Sequence, residues 1–68
     1  MKKLKLQLLK GDLIELTTEN QDSVALWFQP KTNNFCLEFN SIVIIATKTF
    51  KPIENKLKTL GELKPLGV

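Results

Sequence analysis

Val24-Ala25-Leu26-Trp27-Phe28-Gln29, then Pro30-Lys31-Thr32-Asn33-Asn34, then Phe35-Cys36-Leu37-Glu38-Phe39: these sixteen residues decide the fold. In the first run Val24, Leu26 and Phe28 fall on one side and Ala25, Trp27 and Gln29 on the other. In the third, Phe35, Leu37 and Phe39 alternate with Cys36 and Glu38. A side-chain period of two belongs to a strand with one face toward a core. The five residues between the runs are turn formers, so the stretch predicts an antiparallel hairpin.

The same punctuation continues in both directions. Downstream, Asn40-Ser41 offers a two-residue turn or a bulge, and residues 42–47 are β-branched almost throughout, which favours another strand. Upstream, Glu19-Asn20-Gln21-Asp22-Ser23 is a polar turn cluster that comes after a further run, Leu13-Ile14-Glu15-Leu16-Thr17-Thr18. Leu4, Leu6 and Leu8 alternate with Lys3, Lys5 and Gln7, which predicts a first strand before Lys10-Gly11-Asp12. Leu4, Leu8 and Leu9 also fit helical spacing, so a helix over residues 2–10 stands as the rival reading.

The pattern changes after Thr49. Pro52 suits the first turn of a helix. Ile53, Leu57 and Leu60 share one helical face, and Gly61 is placed to cap the end. The expectation is one small domain over residues 1–68, with strands within 2–49, a short helix over about 52–60 and a loose tail over 61–68. Its fold class is mostly β: a small antiparallel five-stranded meander, or an SH3-like or OB-like barrel, with a short C-terminal helix. The Lys10-Gly11-Asp12-Leu13-Ile14-Glu15-Leu16 stretch is similar to the opening strand of many SH3-like barrels.

Composition narrows the function. The chain has 68 residues, 43% hydrophobic and 25% charged, which is globular and speaks against a disordered tail or a disulfide scaffold. Ten Lys oppose seven acids, and Arg and His are absent. Without His, the usual general base, the His-assisted nucleophile and the His-ligated metal are missing. One Cys leaves too few soft ligands for zinc, and Cys36 reads as a small strand hydrophobe. Asp12 with Glu15, and Glu19 with Asp22, are spaced so that neither pair converges on one substrate atom, and no calcium-loop or glycine-loop pattern occurs. The expectation is a protein that is not an enzyme, with no cofactor and no metal.

The charges are segregated. Residues 1–10 hold Lys2, Lys3, Lys5 and Lys10 and no acid, and residues 11–40 hold five acids against Lys31. Residues 41–68 hold Lys48, Lys51, Lys56, Lys58 and Lys64 against Glu54 and Glu62. Basic ends that meet in space form a positive face, the footprint of a polyanion site. A lysine excess also solubilises edges, and in an Arg-free chain it is what an AT-rich coding sequence produces. Met1-Lys2-Lys3 has the start of a signal peptide, but Lys5, Gln7, Lys10 and Asp12 break up the apolar stretch that such a peptide needs next. The longest apolar run, residues 42–46, is far short of the ~20 residues that span a bilayer. With a single Cys, a cytoplasmic location without membrane contact is expected.

Binding is the better-supported class. Placing Leu4, Leu6, Leu8, Ile14, Leu16, Val24, Leu26, Phe28, Phe35, Leu37, Phe39, Ile42 and Ile44 inward leaves Leu13, Trp27, Val43 and Ile45 on the opposite faces. So short a chain has little material to cover them, and an uncovered apolar patch marks a contact with a larger protein or another copy in a homo-oligomer. Trp27 is of the type most enriched at interface hot spots. The alternative is nucleic-acid binding, with Lys2, Lys3, Lys5, Lys31, Lys48, Lys51, Lys56 and Lys58 tracking the backbone and Trp27 stacking on a base.

Overall fold

The computed structural model describes residues 2–65, with the backbone alone for Lys2. Helix α1 (Lys2–Leu9) precedes strands β1 (Ile14–Thr18), β2 (Ser23–Gln29), β3 (Asn34–Phe39) and β4 (Ile42–Thr47). Helix α2 (Lys51–Thr59) and strand β5 (Leu63–Pro65) come last. The five strands form one antiparallel sheet in the order β4-β3-β2-β1-β5. Strands β1 to β4 are a meander. The chain then crosses by way of α2 to lay β5 against the far side of β1. Strands β4 and β5 run the same way, and such a connection needs a crossover segment rather than a tight turn. The sheet has two ends, and no pairing of β4 with β5 closes it into a barrel among the described residues.

Residues 2–9 are helical, so the first expected strand gives way to its rival. Leu4 and Leu8, one turn apart, pack on the core, and Leu8 is fully buried. Leu6, expected inside, is 57% exposed, because on a helix it lies on the side away from Leu4 and Leu8. Gly11 ends the helix at φ +98. Its N–H donates to the Leu8 carbonyl at 3.0 Å and the Asp12 N–H to the Gln7 carbonyl at 3.1 Å, the paired bonds of a Schellman cap. Helix α2 begins after Phe50, with Pro52 in its first turn, and Gly61 lies just past its end at φ +79. The fifth strand comes from the expected loose tail: Leu63, Lys64 and Pro65 pair with Thr18, Thr17 and Leu16. Residues 66–68 of that tail lie outside the described residues.

Both helices lie on one face of the sheet. Buried Val24, Leu26, Phe35 and Leu37 meet Leu8 of α1 and Phe50, Ile53 and Leu57 from the start and body of α2. Register keeps these strand residues together: Ile14 faces Leu26, Leu26 faces Leu37, and Leu37 faces Ile45. Phe35 holds the aromatic centre, its ring 5.0 Å from Phe28 and 5.6 Å edge-on from Phe50. Ring pairs of this kind add about 0.5–1.5 kcal/mol beyond their area.

Two of the turns are tied together. Asn40 and Ser41 have φ of 50 and 71, both left-handed, as a two-residue type I′ hairpin requires. The Asn40 carboxamide accepts from the Ser23 N–H at 2.8 Å and donates to Asp22 at 3.0 Å, and the Asp22 N–H donates to the Thr18 hydroxyl at 3.1 Å. The β1–β2 turn is thus pinned to the β3–β4 turn at one end of the sheet. Serine tolerates a left-handed φ less well than glycine. Ser41→Gly should therefore raise unfolding free energy by roughly 0.5–1 kcal/mol, measured as a shifted urea midpoint with unchanged slope.

Candidate interaction surface

The face away from the helices is formed by the alternate residues of each strand. Reading across the sheet, Val43 faces Glu38, Glu38 faces Ala25 and Ala25 faces Glu15. One row along, Ala46 faces Cys36 and Cys36 faces Trp27. The next row toward β5 is polar: Ser23, Thr17 and Lys64. With Ala25 between them, Glu15 and Glu38 stand two strand spacings apart, ~10 Å. Alanine is too short to fill the space between its neighbours. Leu13, Glu15, Ser23, Ala25, Trp27 and Glu38 line an open concavity of about 480 Å³ there. Leu13 is 60% and Val43 51% exposed, and Trp27 is half-buried.

Three of the four expected partner-binding residues, Leu13, Trp27 and Val43, share this uncovered side. Ile45 does not. The ladder shifts between Leu37 and Glu38, where Ile44 is an extra residue without a partner in register. A bulge reverses the alternation beyond it, so Ile45 turns to the core against Leu37 while Ile44 faces solvent. Ile42 also departs from its expected inward place. It pairs with Phe39 but is 66% exposed, on an outermost strand of the sheet. Sequence reasoning missed Glu15, Ala25 and Glu38 as one row. Equal offsets from the two hairpin turns were the available signal, and they could be used only with each turn's register in hand.

Cys36 lies on the helix-free side, yet it is buried. Trp27 and Ala46 are its register neighbours on that side. Burial pushes the Cys36 thiol up, so less thiolate exists at neutral pH than for a free cysteine. Trp27→Ala should speed alkylation of Cys36 several-fold at pH 7.5 and shift the pH dependence of the rate downward. Mass spectrometry of the labelled native protein reads both, and an unchanged rate would place the cover elsewhere.

The helical lysines are on the other side of the molecule, while Lys64 is in the polar row of the helix-free face. Lys3, Lys5, Lys10, Lys51 and Lys58 are exposed on or beside the two helices, and Lys56 is half-buried. Glu54 takes part of this charge, 3.4 Å from the Lys51 ammonium and 3.8 Å from that of Lys58. Lys31 sits in the β2–β3 turn, where the Lys48 ammonium donates to the Thr32 carbonyl at 2.9 Å. The side chain of Lys2 lies outside the described residues. Both helices, which carry Lys3, Lys5, Lys51, Lys56 and Lys58, form one layer on the same face of the sheet. Trp27 is separated from that layer by the thickness of the sheet, so helical lysines and the indole cannot grip one nucleic-acid strand together.

Among the described residues no helix is long and apolar enough to cross a membrane, and no three metal-type side chains cluster. Compared with known protein families, curated proteins and solved structures, the chain matches none.

Proposed function

We propose that this is a non-enzymatic interaction module, which self-associates or docks on a larger protein through the helix-free face of its sheet. The observation that carries the reading is the one-sided cover. Two helices shield one face, while Leu13 and Trp27 line a concavity on the other and Val43 stands exposed beside Glu38. Apolar area left open on so small a protein favours a partner. The lone reduced thiol suits a reducing cytoplasm.

Sedimentation over a concentration series to ~100 µM tests self-association, with Trp27 emission as a local reporter. The expected result is a mass that rises with concentration, together with a blue-shifted indole. A monomer throughout, with Trp27 emission unchanged, would leave only docking on a larger protein.

The helical lysine layer favours a second reading, nucleic-acid binding through Lys3, Lys5, Lys10, Lys51 and Lys58. Anisotropy of a labelled oligonucleotide is the suitable measurement, because Trp27 faces the other way. Contact with several phosphates would make affinity fall steeply with salt. No binding at 50 mM salt removes this reading.

A further inference from the structure

We infer that copies of this chain associate head to tail, with the helix-free sheet face of one receiving the outward side of α1 of the next. The inference rests on the self-association reading and specifies its geometry. Helix α1 is apolar on two sides. Leu4 and Leu8 face the core; at 100° per residue Leu6 and Leu9 turn away from it, and they are 57% and 47% exposed. Lys5 borders this outer strip on the Leu9 side, and Lys3 and Lys10 border it on the Leu6 side. Lys3 and Lys10 are seven residues apart, two turns on the same side, ~10 Å along the axis. Across the sheet, Glu15 and Glu38 flank Ala25 at nearly the same separation, with Leu13, Trp27 and Val43 around them. Two apolar surfaces therefore lie on opposite sides of one molecule, one bordered by lysines and the other by glutamates, with matching charge spacing.

Charge decides the symmetry. A two-fold pairing of sheet face with sheet face centred on the concavity would set Glu15 and Glu38 against their own copies, away from Lys64 at the β5 end, and a pairing of α1 with α1 would set lysines against lysines. Like charges brought together in an interface oppose association. Only the unlike faces complement each other in both sign and apolar content, and that arrangement is heterologous. It grows into rings or open chains rather than stopping at a dimer. The exposed edge of β4 is the other route to pairing. The break in register at Ile44 twists that edge, a feature that blunts edge-to-edge addition.

Charge reversal of each face tests the geometry. Lys3→Glu/Lys10→Glu alters only the helix side, and Glu15→Lys/Glu38→Lys only the sheet side. Wild-type protein should exceed dimer mass by light scattering and fall toward monomer as salt rises. Each double variant alone should be monomeric, since it opposes like charges at every contact. Their equimolar mixture should regain high mass, since both contacts are complementary again, and this recovery shows that both variants are folded. Persistent association of either variant alone, or failure of the mixture to recover, overturns the head-to-tail arrangement and leaves self-association standing. A wild-type monomer at ~100 µM overturns self-association itself.

Discussion

Leu37→Ala is expected to leave the chain largely unfolded at 37 °C. Leu37 is fully buried at the centre of the sheet, facing Leu26 on one neighbour and Ile45 on the other, with both helices packed over the same surface. A cavity at a site held by strands on both sides cannot collapse easily, and such truncations cost about 2–5 kcal/mol. At ~0.05–0.15 kcal/mol per residue, 68 residues retain about 3–10 kcal/mol in total. So small a domain lies toward the low end of that range, where the substitution removes most of the stability. Urea unfolding followed by Trp27 fluorescence would show the midpoint moving to low urea or the transition disappearing. A loss below ~1 kcal/mol would contradict the central place given to Leu37. Leu13→Ala, at an exposed position on the other side, should fall within about ±0.5 kcal/mol of wild type.

The sheet was legible from sequence where turns and alternation agree. Val24 to Phe39 is the clearest case, because five turn formers separate two runs of period two and each period is long enough to distinguish from a helix. Strand β4 was legible as a strand but not as a set of faces. The first five of its six residues are all apolar, so none of them marks which side is wet, and a single unpaired residue then reverses the alternation at Ile45. Strand β5 left no trace, since three residues ending in proline show no period at all. Phe50 was invisible for a related reason. It precedes α2 at the N-cap position, outside any periodic run, and is buried against Phe35 by the path of the chain.

The site behaved in the same way. Leu13, Trp27 and Val43 emerged by elimination from the core. The acidic row depends on strand register, and register depends on how each hairpin closes. The charge segregation was fully visible in the sequence, but its meaning required knowing that α1 and α2 share one side. Because they do, the helical lysines lie on one side of the sheet and Glu15 and Glu38 on the other, which is the charge arrangement that head-to-tail association uses.

Residues 2–9 provide the second large effect, and a paired substitution separates their two readings. In a strand, Leu6 and Leu8 would point the same way, and truncating either would damage the core. In the helix they point in opposite directions: Leu8 is fully buried and Leu6 is 57% exposed. Leu8→Ala should cost about 2–5 kcal/mol, and Leu6→Ala less than about 0.5 kcal/mol. The cost at Leu8 should also be local in character. An eight-residue helix is too short to persist without its packing, so losing Leu8 releases α1 as a unit. Released α1 would uncover Leu26 and Val24, and amide exchange would accelerate first over residues 6–12, whose N–H bonds close the helix and its Gly11 cap. Equal damage from the two substitutions would return the segment to a strand. It would also remove the outer leucine strip on which head-to-tail association depends.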